Sequence, residues 1–350
     1  MPKSDRSIAG EEFFTDGMSV AGNDEAKRYI IAEILRGTLH HAYIISGKRG
    51  GGKRTFAYQT AAAVLCRREG EKIPCGKCAS CKKALREKAI HPDIISVSRK
   101  EKTALGIDSI RALRMDAQLL PSESEYKIYI IEEADTMTEA AQNAFLLAIE
   151  EPPPHVIYLL LCQDTSALLD TLRSRTQKLS LRPLPMPLLE SKLAEAGGAK
   201  ARKIRDQSPH EWREALVCAD GSLGAALELL SSAEMKKRRG QRERAFMLVC
   251  KMLSQSSDLY LYLSRMKYKR DEAQRLIADS EDVIRDMLTV KKSATAPMCF
   301  FADRGEAENE AGKYTMKQII KTAEALCEAS VAIAHNAAIQ TALFAAACAK

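Results

Sequence analysis

The chain of 350 residues is poor in aromatic side chains, which make up 5% of it and include a single tryptophan. It also has no run of about 18 consecutive apolar residues, so we predict no membrane-spanning helix. Residues 1–14 mix charges early and have no apolar stretch, so we predict no secretion signal there. An apolar content of 46% then indicates an aliphatic-cored, helix-rich protein of about two or three domains.

Cysteine, in contrast, is present ten times. Scattered cysteines in a long chain without a secretion signal indicate reduced thiols, so we expect a bacterial-type cytoplasmic location. The net charge of +7 permits contact with nucleic acid without requiring it. The scattered thiols are Cys162, Cys218, Cys250, Cys299, Cys327 and Cys348.

The other four cysteines are clustered at Cys66, Cys75, Cys78 and Cys81. Gaps of two residues let neighbouring thiolates converge on one ion, and four sulfurs match a closed tetrahedral zinc site. Free cysteines that cluster by chance are the alternative. The spacing favours a structural zinc module over about residues 66–93.

A glycine-rich run from Gly47 to Arg54 matches a phosphate-binding loop except at its last position. The run follows a predicted apolar strand over 42–46 and precedes a predicted helix over 55–66, which is the context that such a loop requires. Its glycine N–H groups can surround a phosphate, and a lysine adds positive charge. The candidate nucleotide-binding residues here are Gly47, Gly50, Gly51, Gly52, Lys53 and Thr55.

What the loop lacks is the hydroxyl that binds magnesium, because Arg54 occupies its position. A guanidinium has no acceptor atom and repels the cation. Thr55 carries a hydroxyl but lies one residue on, about 100° around the helix axis, so we expect it to face elsewhere. The loop is therefore predicted to suit phosphate binding better than nucleotide hydrolysis.

Two acidic residues, Glu132 and Glu133, follow a second buried strand predicted over 127–131. In nucleotide-hydrolysing machines the first acid orients magnesium and the second positions the attacking water. The first is usually an aspartate, and the extra methylene of Glu132 would displace the metal or leave it held through water. A pair of solvated acids that leads a helix is the alternative reading.

Helices and strands alternate from about residue 24 to residue 180. Asp24 is predicted to cap a helix that runs to about Arg36, and Thr138 to cap one that runs to Glu150. Strands are predicted over 94–97 and 156–162, which makes a parallel sheet covered on both faces. The proline-rich stretch 182–187 then marks a domain boundary, and helical patterning follows.

Three further features have competing readings. Arg175, on a rim after the last buried strand, could donate forked hydrogen bonds to a phosphate held by a neighbouring subunit, or could be an ordinary surface residue. The run 236–239 could contact DNA phosphates or form a charged helix end. His91, in a turn before a strand, is given a structural role.

These motifs resemble those of the delta-prime subunits of the bacterial DNA polymerase III clamp loader, members of the AAA+ family. The resemblance covers about residues 40–180 in the family's order. The matching pieces are His41-Ala42-Tyr43, the glycine loop, the four-cysteine insert, His91-Pro92-Asp93, Ile128 to Asp135, Asn143 to Pro153, and Thr171 to Arg175.

Departures from the hydrolysing gamma/tau motors of this family favour delta-prime. Arg54 replaces the magnesium hydroxyl, Glu132 replaces an aspartate, and Gly224 stands where the motors carry a phosphate-sensing arginine. Ser174-Arg175 is retained, although Thr176 replaces the usual cysteine. The resemblance thus implies that Arg175 serves a neighbour's ATP, while any ATP or ADP bound at Lys53 is not hydrolysed; whether nucleotide binds there stays open.

The resemblance implies three domains. An α/β parallel-sheet AAA+ domain over 1–183 contains the zinc module, and a helical lid over 184–238 and an all-α collar over 239–350 follow it. It also implies delta and gamma/tau subunits, the sliding clamp and primer-template DNA as partners, with no membrane. Two alternatives stay open: a gamma/tau-like ATPase that uses Thr55, and a free-standing zinc protein that binds nucleic acid tightly.

Overall fold

The computed structural model describes residues 18–67, 72–86, 90–99, 104–265, 268–293, 295–296, 298–334 and 337–348. It divides into two compact units, Met1–Leu188 with Ser222–Gly224, and Leu189–Gly221 with Ala225–Lys350. The stretch 1–14, which was predicted to carry no secretion signal, lies outside the described residues. The predicted division of the helical part into a lid and a collar stays a prediction.

A five-stranded sheet forms the centre of the first unit, in the order β2-β3-β4-β1-β5 with every neighbouring pair parallel. The predicted strands and their parallel arrangement are confirmed. The fifth strand was not predicted, because only Leu179 of its four residues is buried and its apolar signal is weak. The strands are β1 (Ala42–Ser46), β2 (Ile94–Val97), β3 (Lys127–Ile131), β4 (Val156–Cys162) and β5 (Gln177–Ser180).

Helices cover both faces of this sheet. Side chains alternate between the faces along each strand, so Tyr43 and Ile45 pack with Phe56 of one helical layer, while Ile44 packs with Phe145 of the other. The helices of this unit are α1 (Asp24–Arg36), α2 (Lys53–Val64), α3 (Ala79–Ala84), α4 (Ile107–Ala117), α5 (Glu139–Glu150) and α6 (Asp170–Ser174), and α7 (Met186–Ala196) begins in it and belongs to the second unit from Leu189 on.

Local chemistry determines where these helices begin and end. The Thr138 hydroxyl accepts a hydrogen bond from the Ala141 N–H, so its predicted role as a cap is confirmed. Asp24 is the first residue of α1 and not its cap, which is Asn23. Helix α2 begins at Lys53, two residues earlier than predicted, directly after the left-handed Gly52.

The second unit is helical throughout the part that the structure describes. Its helices are α8 (Gly198–Gln207), α9 (Pro209–Ala219), α10 (Leu223–Leu229), α11 (Ser232–Leu253), α12 (Leu259–Arg265), α13 (Arg270–Lys292), α14 (Arg304–Gly312), α15 (Met316–Ala334) and α16 (Ile339–Cys348), with the first two residues of α10 assigned to the other unit. Among the described helices, none combines the length and the apolar character needed to cross a membrane.

The basic run 236–239 lies inside α11 and does not break the helical region. Arg238 donates two hydrogen bonds to Asp279, at 2.6 and 2.7 Å, and Arg239 forms an ion pair with Glu214 at 2.5 Å. Two of its four cations therefore neutralise acids of the same unit, which weakens the interpretation of the run as a DNA contact.

Candidate nucleotide site and cysteine cluster

The glycine loop connects the carboxyl end of β1 to the first turn of α2. Gly50 and Gly52 adopt φ values of 71° and 86°, which side chains with a Cβ rarely adopt. Gly51 favours glycine for a steric reason, since a Cβ on it would lie 3.0 Å from the Lys48 carbonyl oxygen. The backbone thus needs glycine at these positions in order to turn tightly into the helix.

Lys53 lies against this loop. Its Nζ donates hydrogen bonds to the carbonyl oxygens of Gly47, at 2.5 Å, and Lys48, at 2.9 Å. Burial lowers the pKa of the Lys53 amine, and the nearby carboxylate of Asp135 opposes that effect. A bound phosphate could therefore replace these two loop carbonyls as the partner of the Lys53 amine.

A cavity of about 340 Å³ opens beside the loop, because the carboxyl ends of β1, β3 and β4 meet at the same edge of the parallel sheet. Its lining brings together most of the predicted nucleotide-site residues. Thr55, which helical geometry predicts to face elsewhere, is also among the lining residues, so the residue borders the cavity while the direction of its hydroxyl stays a prediction. The lining residues are Arg49, Gly50, Gly52, Lys53, Arg54, Thr55, Glu132, Glu133, Asp135, Leu161, Cys162, Gln163 and Gly224.

The two carboxylates that were predicted to handle metal and water each face a guanidinium of the same chain. Arg54 Nε lies 3.1 Å from Glu132 Oε1, and Ser96 Oγ donates to the same oxygen at 2.9 Å. Glu133 forms an ion pair with Arg99. The Arg54 side chain, which stands at the motif position of the magnesium-binding hydroxyl, thus occupies the space beside Glu132 where a metal would bind.

Asp135 has a structural role that the sequence did not reveal. Its Oδ2 accepts hydrogen bonds from the backbone N–H groups of Gln163, at 2.8 Å, and Asp164, at 3.3 Å. Both donors follow β4 directly, so this carboxylate fixes the cavity wall where that strand ends. Only the acidic pattern after β3 could have pointed to this residue.

Gly224 packs directly onto the glycine loop within the same unit. Its N–H donates to the Gly50 carbonyl oxygen at 3.0 Å, and Ser222 Oγ donates to the Arg49 carbonyl oxygen at 2.9 Å. A Cβ at position 224 would lie 2.9 Å from Gly50 Cα, which is closer than two carbon atoms can pack. This arrangement therefore leaves no room for an arginine, or for any side chain, at residue 224.

Arg175 ends α6 and is absent from the lining of this cavity as the structure describes it. Its Nη1 donates to the Thr171 carbonyl oxygen at 3.1 Å, and its Nη2 lies 3.3 Å from Glu150 Oε1. The side chains of Arg175 and Glu150 are each 44% exposed. Ion pairs of this exposure contribute little, so another anion could take over the guanidinium at small cost.

The four predicted zinc ligands converge in space. Their sulfur atoms all lie within 4.8 Å of one another, and those of Cys75 and Cys81 are 3.9 Å apart. Tetrahedral zinc, with Zn–S distances of about 2.3 Å, requires sulfur separations of about 3.8 Å. The cluster could therefore bind zinc with almost no rearrangement.

Backbone N–H groups prepare these sulfurs for a thiolate charge. Cys75, Cys78 and Cys81 donate N–H groups to the sulfurs of Cys66, Cys75 and Cys78 respectively, each at 3.4 Å. Hydrogen bonding with Cys66, together with burial, raises the pKa of the Cys81 thiol. A cation among the sulfurs is what would hold all four residues as thiolates.

His91 links the cysteine module to the sheet. Its Nε2 lies 3.0 Å from Ser80 Oγ on α3, and its Nδ1 accepts the Asp93 N–H at 3.2 Å. The Asp93 carboxylate accepts N–H groups from Ser122, at 2.5 Å, and Glu123, at 2.9 Å. Burial lowers the pKa of His91. A neutral imidazole that bridges two elements agrees with the structural role expected for it.

Comparisons with known proteins point to one family. Residues 22–185 match a family described as DNA polymerase III, delta subunit. The gamma/tau subunit of Mycobacterium bovis DNA polymerase III is 32% identical over 193 residues, which are 55% of this chain and 31% of that protein. The delta' subunit of Bacillus subtilis is 33% identical over 208 residues, 59% of this chain and 59% of the relative.

A solved structure, that of a gamma subunit-related protein of DNA polymerase III from Thermotoga maritima, is similar over 91% of this chain and 96% of that one. Its sequence identity is 16% and its TM-score 0.44, a likeness that establishes no shared function. This chain spans about a third of the Mycobacterium relative. The family match and the named relatives together support the resemblance that the motifs predicted: this chain is similar to the delta' and gamma/tau subunits of DNA polymerase III.

Proposed function

We propose that this chain is a delta-prime-like stator of the DNA polymerase III clamp loader, acting in the cytoplasm with delta and gamma/tau subunits. It would help to place the sliding clamp on primer-template DNA while its neighbours hydrolyse ATP. The observation that carries the proposal is the ion pair between Arg54 and Glu132, at 3.1 Å, where a hydrolysing subunit needs a metal. The glycine at position 224 supports it.

The working residue of such a stator would be Arg175, acting in trans. Its guanidinium would leave Glu150 and donate two hydrogen bonds to the γ-phosphate oxygens of a neighbouring subunit's ATP, where charge develops during transfer. Both side chains are about half exposed, so this exchange costs little.

The cysteine module would be a structural element and not a catalytic one. Four sulfurs fill a tetrahedral sphere and leave no position for water or substrate. Zinc would hold the segment around Cys75 and Cys81 to the end of α2. The helical unit, corresponding to lid and collar, would supply the surface through which the subunits assemble.

A gamma/tau-like motor is the second candidate, because Thr55 lines the cavity and one of the relatives is a gamma/tau subunit. Purified chain incubated with ATP and Mg²⁺ distinguishes the two. The stator should release no phosphate above the background of a Lys53→Ala variant. Magnesium-dependent turnover that Lys53→Ala and Thr55→Ala both abolish would establish the motor instead.

A further inference from the structure

We propose that the cavity binds a nucleoside polyphosphate without a divalent metal, and that the Arg54 guanidinium takes the metal's place. The inference rests on the proposed role of this cavity as a phosphate site that does not hydrolyse its ligand. It concerns Arg54, Glu132 and the charge of the cavity wall, and it does not involve Arg175.

Arg54 is held in position from two sides. Its Nε lies 3.1 Å from Glu132 Oε1, and its guanidinium carbon lies 5.6 Å from the centre of the Tyr58 ring. The terminal nitrogens carry four more N–H donors in a planar fork that suits phosphate oxygens. Arg54 lines the cavity next to Lys53, so the two cations can share one polyphosphate.

Each carboxylate on the cavity wall already has a partner within the chain. Glu132 faces Arg54, Glu133 faces Arg99, and Asp135 accepts the Gln163 N–H. Magnesium requires nearly octahedral oxygen ligands at about 2.1 Å and is repelled by a neighbouring guanidinium. To reach Glu132 the metal would have to displace the Arg54 guanidinium and would remain beside its fixed positive charge, so the site does not fit the metal.

The charge of the ligand leads to the same conclusion. Arg49, Lys53 and Arg54 present three cations to the cavity, and of the three carboxylates on its wall Glu132 and Glu133 each already face a guanidinium. A nucleoside triphosphate without magnesium carries more negative charge than its magnesium complex, and it leaves its oxygens open to N–H donors. The uncomplexed form therefore gains more from these side chains.

The test is equilibrium dialysis of the full-length chain against labelled ATP, and separately ADP, in buffer freed of magnesium by a chelating resin or with excess Mg²⁺; no soluble chelator is added, so the cysteine cluster keeps its zinc. We expect binding without Mg²⁺ to be at least as tight as with it. Arg54→Ala should weaken binding in the magnesium-free buffer by about tenfold, because it removes charge-assisted hydrogen bonds. Arg54→Thr, which restores the hydroxyl, should make binding depend on magnesium.

Arg36→Ala is the matched control, since it removes the same charge from an exposed position outside the cavity. It should bind like the unmodified chain. Circular dichroism and zinc content verify that each variant is folded.

Binding that requires Mg²⁺, binding that Arg54→Ala leaves unchanged, or no binding in either buffer would overturn the inference. None of these results affects the stator role, which fails instead if the chain alone turns over ATP.

Discussion

Arg175→Ala should slow ATP turnover at the neighbouring site of an assembled clamp loader by about 10³-fold or more, the range typical of an arginine supplied in trans. The guanidinium is half exposed, and among the described residues it is held by Glu150 and the Thr171 carbonyl. Alanine therefore removes the transition-state contact without disturbing a packed core. Phosphate release measured before the steady state separates ATP turnover at the site that Arg175 serves from turnover at the other sites.

Arg182→Ala is the control for that experiment, because Arg182 is 82% exposed and its loss removes the same charge from the same unit. It should leave turnover unchanged. Gel filtration should show that both variants still assemble. Normal ATP turnover in a fully assembled Arg175→Ala loader would disprove the role of Arg175 at the neighbouring subunit's ATP.

Cys78→Ser should abolish zinc binding and loosen the whole cysteine module. Cys78 is fully buried, its sulfur accepts the Cys81 N–H, and serine is a poor zinc ligand. Structural zinc sites contribute about 10 kcal/mol or more of binding free energy in small domains, and that energy stabilises the fold. We expect one zinc per chain in the unmodified protein and none in the variant, with faster amide exchange over 75–84.

Cys327→Ser is the matched control, since Cys327 is exposed and far from the cluster in sequence. It should keep its zinc and its exchange protection. A strong chelator should reproduce the effect of Cys78→Ser, and acid should favour metal release because the thiolates must take up protons. A Cys78→Ser variant that retains stoichiometric zinc would disprove the four-cysteine site.

The sequence predicted the buried strands correctly because continuous apolar runs between helices leave few alternatives in an α/β protein. The strands at 127–131 and 156–162 were found with their observed bounds. Helix α4 and strand β5 were not predicted, since α4 buries three of its eleven residues and the edge strand β5 buries one of four, which leaves each a weak apolar signal. Helix starts were one or two residues off because the cap is set by backbone conformation at Asn23 and Gly52.

Side-chain partners distant in sequence were beyond prediction. The pair of Arg54 with Glu132 joins residues that the sheet order brings together, and the closeness of Gly224 to Gly50 depends on how the chain returns to the loop. The partners of the basic run 236–239 were hidden for the same reason, and whether the run contacts DNA stays open. Arg238 finds Asp279 41 residues later, and no local pattern shows that.

The most direct measurement is clamp-loading ATPase, with clamp and primed DNA present, in mixtures of delta and gamma/tau subunits with and without this chain. We predict that the chain alone is inactive, that adding it raises turnover by the mixture, and that the increase is lost with Arg175→Ala but survives Lys53→Ala. ATP turnover by the chain alone would contradict the stator role, and so would turnover by the mixture that does not change when the chain is added.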